Sequence, residues 1–187
     1  MVRVCVVIAM LLLAPSLRAT VLLPADFREV VAGSQVIVHG RVLEVRPEWT
    51  ADGRRIESVV TLEAGTYFKG GPGEQVTFRV EGGQIGRYKS VTIGAPVFSP
   101  GDEAVFFLAA RGPSVPRIFG MGQGVFRVRV DAAGQRTVVT PALLSSGHEH
   151  EVLRRGAPDR RALPIEAFAA QVRQALAQPA AAPRGAR

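Results

Sequence analysis

The sequence predicts a mainly β domain, an antiparallel barrel or sandwich with a short helix before its strands and a longer one after them. Three observations carry this. Apolar and polar residues alternate with a period of two through most of the chain. Clusters of Gly and Pro interrupt the alternation roughly every 8 to 15 residues, as antiparallel turns require. No helical period separates one strand from the next, which argues against a parallel sheet with covering helices. The chain has 187 residues, 47% of them hydrophobic, with 20 Gly and 13 Pro. That composition suits one core and excludes a disordered acidic tail, a collagen or a multi-domain assembly.

The first residues read as a signal peptide spanning 1–19. Met1-Val2-Arg3 gives a basic start and Val4 to Ala14 an unbroken apolar run. As a helix the run is about 16 Å long, against the ~30 Å of a bilayer core, so it is too short to span. Pro15 breaks it. Cleavage is expected after Ala19, leaving Thr20 at the new terminus, with cleavage after Ser16 as the alternative. The only cysteine, Cys5, lies inside this leader, so the exported chain is expected to form no disulfide and to be periplasmic or secreted.

The barrel domain is expected over 20–140. Ala25 to Ala32 reads as a short helix packing Phe27, Val30 and Val31, with Asp26 near its start. Gln35 to Val45 is a long strand whose central Gly40 marks a bend or bulge, and Asp52-Gly53 is a hairpin signal. Arg55 to Phe68 places Ile56, Ser58, Val60 and Leu62 on one face before the turn cluster Lys69 to Gly73. In Gln75 to Glu81, Val76, Phe78 and Val80 point inward; Gly82-Gly83 ends the run, and Tyr88 to Ile93 is a weaker strand. Pro100 to Glu103 turns into Ala104 to Ala109, where Val105 to Leu108 are continuously apolar and so expected to be buried on both faces in a central strand. Arg117 to Phe119 leads through Gly120 to Gly124 into Val125 to Val130, with Phe126, Val128 and Val130 set against Arg127 and Arg129, and Arg136 to Thr140 is the last strand. Residues 141–163 read as a linker. Residues 164–177 are expected to form a helix, with Ile165, Phe168, Val172 and Leu176 at helical spacing, and 178–187 read as a disordered tail.

Reactive chemistry is sparse. Gly120 to Gly124 leads into a strand, whereas a phosphate loop leads into a helix whose N-terminus faces the anion, so a close-packed turn is expected. No pattern of a nucleophile elbow, a zinc protease helix or a nucleotide-binding loop occurs. His148 and His150 in Ser146 to Glu151 could share a metal ion in an extended segment, with Glu or His39 joining them; two ligands alone do not make a site. His39, inside an apolar strand, is expected as a hydrogen-bonded strand residue. Trp49, beside the first hairpin, is a hairpin clasp or an exposed binding aromatic. The net charge of +7 comes from scattered arginines, with Lys69 and Lys89 the lysines, and offers no basic stripe with aromatic platforms for nucleic acid.

Ser34 to Val42, Tyr67 to Gly70 and Gly101 to Leu108, within residues 25 to 130, resemble the frame of netrin-like domains, including the tissue inhibitors of metalloproteinases, and of exported bacterial proteins of the same frame. The resemblance implies an OB-like five-stranded Greek-key barrel with extra strands and a terminal helix. In the inhibitors a disulfide-bonded N-terminal Cys chelates the protease zinc; here Thr20 would take that place, which separates the expected fold from that activity. The expectation is an exported non-catalytic binding module without a cofactor. Its partner is an unidentified protein, a secreted protease being the class the resemblance suggests, with Thr20 and Trp49 as candidate interaction residues. Membrane contact is expected only through the leader. Two other readings stay open: a periplasmic metal-binding protein or hydrolase using His148 and His150, and a surface polyanion binder using arginines.

Overall fold

A computed structural model describes residues 24–110, 112, 114–141 and 162–178. The predicted first helix is α1, Phe27–Gly33. Asp26 caps it: its carboxylate accepts from Glu29 N at 2.8 Å, and the Glu29 carboxylate accepts in return from Asp26 N at 3.0 Å. This reciprocal box satisfies two amides that a helix start otherwise leaves orphaned. Past its end, the buried Ser34 hydroxyl donates to Val30 O at 2.7 Å.

Strands β1 (Val36–Trp49) and β2 (Ile56–Lys69) form a long hairpin around the predicted Asp52-Gly53 turn. β1 runs four residues beyond the expected Val45, because ladder pairing to β2 continues to Trp49 opposite Ile56. Then follow β3 (Gln75–Glu81), β4 (Gly83–Ile85), β5 (Tyr88–Ser90), β6 (Glu103–Ala109), β7 (Arg117–Ile118), β8 (Val125–Val130), β9 (Arg136–Val139), β10 (Leu163–Pro164) and helix α2 (Ile165–Ala177).

The strand order β1-β2-β3-β7-β6, closed by β6 returning to β1, is a five-stranded barrel consistent with an OB-like fold. One seam departs from the antiparallel expectation: β3 and β7 pair parallel, through Arg79 and Arg117. β7 follows β6 closely in sequence and turns back antiparallel along it, and that direction runs parallel to β3; alternation patterns carry no strand direction. β8, β9 and β10 extend the sheet outward from β6. Three local expectations change. Leu163, assigned to a linker, pairs with Val138 in β10. The weak strand expected over Tyr88 to Ile93 shrinks to three residues in a separate two-stranded ribbon with β4. Val130 lies 66% exposed, because β8 pairs with β6 only over Val125 to Arg127 and its last residues run on beside β9 alone.

The molecule has two cores that share β6. Inside the barrel lie Val38, Val42, Val60, Leu62, Val76, Phe78 and Phe106, with Phe78, Phe98 and Phe106 in mutual ring contact at 5.5 to 5.8 Å. Outside it, Phe107 and Val105 of β6 meet Phe126, Ile37, and Val30 of α1 and Phe168 of α2. Successive β6 side chains thus enter opposite cores, and Val105 to Leu108 are all fully buried, as the apolar run predicted.

The Gly120 to Gly124 segment is the close-packed turn expected of it. A Cβ at Gly124 would sit 2.8 Å from Phe107 O and 3.0 Å from Phe119 O, so only glycine lets the turn lie against β6. The buried Gln123 side chain accepts from Ala25 N at 2.6 Å and ties the approach to α1 onto this turn.

Candidate functional site

The most exposed apolar surface among the described residues lies where the chain leaves β3 and crosses one end of the barrel before entering β6. The β4–β5 ribbon is pinned to the start of β2: Gly82 N donates to Ile56 O at 3.0 Å, Ile56 N to the Ser90 hydroxyl at 3.0 Å, and the Ser58 hydroxyl to Gly82 O at 2.8 Å. Residues 91–98 then return across the barrel mouth, and Phe98 plugs into the inner core. Arg127 clamps this end. Its guanidinium stacks 5.3 Å from the Phe98 ring centroid, and donates to Asp102 at 2.9 Å and to Val97 O at 2.5 Å.

Between these anchors the side chains face solvent. Val91 is 75% exposed, Ile93 94% and Val97 82%. Beside them Trp49 packs edge-on against Tyr88 with ring centroids 5.6 Å apart, both rings about half exposed. Trp49 is therefore both things the sequence allowed, a clasp between the first hairpin and the ribbon and an exposed aromatic. Under the segment runs a cleft of about 390 Å³, lined by Val45, Val60, Val80, Lys89, Pro96 and Phe98 among others.

Charges are sorted by position. Arg79 bridges Glu48 and Glu57, with Arg46 and Arg117 on the same two acids, and Arg127 is held by Asp102. Around the Trp49–Tyr88 corner the exposed Arg54, Arg55, Arg87 and Lys89 form no ion pair with any described residue. Arg87 lies 5.1 Å from the Tyr88 ring centroid and donates to its hydroxyl.

A second polar cluster surrounds His39. Its Nε2 lies 2.6 Å from Glu103 Oε1, Arg136 contacts the same oxygen, and Arg41 approaches Oε2 at 3.8 Å. Glu103 alone would favour an imidazolium, but burial penalises the charged ring and Arg136 adds repulsion, so the His39 pKa lies below its ordinary value. The ring is then neutral at pH 7 and donates Nε2–H to Glu103. This is the hydrogen-bonded strand residue expected from the sequence, now with its partner named.

A proton binds His39 more readily in the unfolded chain, where its pKa is about 6.5. Stability present above that pH is therefore lost as pH falls through about 6.5 toward the lower folded value, and the loss then levels off. Urea midpoints at pH 7 and 5.5 should fall further apart for the parent than for His39→Gln, whose amide can still donate to Glu103. Equal pH dependence in the two proteins would contradict a neutral, partly buried imidazole.

Thr20, His148 and His150 lie outside the described residues. Among the described residues no group of three or more His, Cys, Asp or Glu stands close enough to hold a metal ion, and no helix is long and apolar enough to cross a membrane. The sequence flagged Trp49 but missed Tyr88, Val91, Ile93 and Val97. The available signal was the β-branched aliphatic residues Val91, Ile93 and Val97 just before the Pro100 turn, in a stretch too broken by Gly94 and Pro96 to form a full strand. Comparison with family models, with curated proteins and with solved structures finds no match to this chain.

Proposed function

We propose that the chain is an exported, non-catalytic binding module that takes its ligand on the barrel-end face made by Trp49, Tyr88 and residues 91–98. One observation carries the reading: three aliphatic side chains stand 75 to 94% exposed on a segment anchored at both ends. Clustered apolar groups in water are unfavourable, and such patches mark interaction surfaces. The Arg127 clamp and the ribbon fix the segment before any ligand arrives, so little ordering entropy opposes binding. The non-catalytic part is supported by His39 and Glu103, which are committed to each other and to Arg136. Export is supported by the apolar run at Val4 to Ala14.

The test is a titration of the full chain with the fluorescent apolar probe anilinonaphthalene sulfonate. Parent protein should enhance its emission, and Val91→Ser with Val97→Ser should reduce the enhancement several-fold at an unchanged melting temperature, since exposed substitutions shift stability by only about 0.5 kcal/mol. The leader run is present in both proteins, so equal enhancement by parent and variant would remove this face as the binding surface.

A further inference from the structure

We infer that the surface on which this face docks is an anionic lipid membrane. The inference rests on the binding-face reading and names its partner. Three features of the same surface point to lipid.

The first is shape. Val91, Ile93 and Val97 project outward, with Ile93 almost wholly in water. A fluid acyl layer accommodates protruding aliphatic side chains without a matching hollow, whereas a folded protein must supply one. The second is the pair of amphipathic rings at the base of these projections. Trp49 and Tyr88, half exposed and in contact, are the residue types that settle at headgroup depth, with an apolar body and a polar tip.

The third is charge. Arg54, Arg55, Arg87 and Lys89 are exposed around the aromatic corner, and Asp52 and Glu81 are the acids beside them. The acids Glu48 and Glu57 nearby are already taken by Arg46, Arg79 and Arg117. The cations join the apolar projections in one surface: Arg55 and Val91 line a shared depression, and Lys89, Val91 and Val97 line the cleft. Cations next to a membrane-seated apolar patch attract anionic headgroups, while the core of a protein interface is depleted in lysine. Insertion of residues 91–97 would set the Trp49–Tyr88 pair at the interface.

Trp49 is the only tryptophan of the chain, so its emission reports on this face alone. The full chain is mixed with vesicles of phosphatidylcholine containing phosphatidylglycerol, and with vesicles of phosphatidylcholine alone, and followed by sedimentation and by Trp49 emission. The expected result is sedimentation with the anionic vesicles, a blue shift of Trp49, and weakening as salt rises from about 0.05 to about 0.5 M. Ile93→Asp should weaken binding at least about tenfold, and Arg87→Glu with Lys89→Glu should reduce it to the level seen with phosphatidylcholine alone. All of these side chains are exposed, so the variants retain the fold.

Other results overturn the inference in distinguishable ways. Sedimentation with Trp49 emission unmoved, or with both variants binding like the parent, assigns lipid binding to the retained apolar run at 4–14 and removes it from this face. No vesicle binding, while the apolar probe still depends on Val91 and Val97, leaves the binding face standing and makes its occupant a protein. Loss of both signals ends both readings.

Discussion

Phe107→Ala is expected to lower the unfolding free energy by about 3 to 5 kcal/mol, the range for truncating a buried Phe. Phe107 is wholly buried and its ring meets Phe27, Phe126 and Phe168 at 6.0, 5.1 and 6.5 Å between centroids. Those partners come from α1, from β8 and from α2, so one side chain joins the barrel wall to both helices. Phe107 is also fixed at its backbone: its N–H donates to Gly124 O at 2.9 Å and its carbonyl accepts from Phe119 N at 2.9 Å. The wall therefore cannot move in to fill the space, and the cavity persists. For a chain of this size each kcal/mol shifts the melting temperature by about 2 to 4 °C, so thermal unfolding followed by circular dichroism should show a drop of roughly 6 to 20 °C. Phe107→Leu, which keeps much of the volume, should recover most of it. A loss below about 1 kcal/mol for the alanine variant would mean that the helices are not held through this contact.

Much of the frame was legible because burial in this chain follows local alternation. Val76, Phe78 and Val80 read as inward and are inward, and the unbroken run at Val105 to Leu108 read as doubly buried because it is covered by two cores. The helices were legible for the same reason, with Asp26 at the start of one and Phe168 and Val172 one turn apart in the other. Topology was not. Nothing in Arg117-Ile118 says that two residues close a barrel by pairing parallel to β3, since a single bridge leaves no periodic trace. The candidate site was hidden by the rule that made the rest readable. Apolar residues on a strand pattern are assigned inward, yet much of any protein surface is apolar, and Val91, Ile93 and Val97 point out. Only contact geometry shows that Trp49 and Tyr88, thirty-nine positions apart in the sequence, form one corner.

Gly40→Ala should cost on the order of 1 to 3 kcal/mol, the range for overpacking a closed interior, and Gly40→Val more. The reason is steric, because the residue occupies an ordinary strand conformation: a Cβ there would lie 2.4 Å from Glu63 O and 2.9 Å from Leu62 Cδ1. The Leu62 methyl could rotate away, but a carbonyl in a ladder can yield only with its strand. Here the strand is caught on both sides, since Gly40 pairs with Ala64 of β2 and with Ala104 of β6. Relief would have to open the hairpin or the seam that closes the barrel. The register shift between His39 and Gly40 is the form this close approach takes in the native ladder. Gly65→Ala is the control: its Cβ would meet His39 O at 3.4 Å, an ordinary contact, on the opposite strand of the same hairpin. Urea unfolding of the two variants beside the parent should separate them, with Gly40→Ala clearly destabilised and Gly65→Ala close to the parent. Equal midpoints for all three would place slack where β1 crosses between β2 and β6, and the barrel would not close as tightly there as the ladder implies.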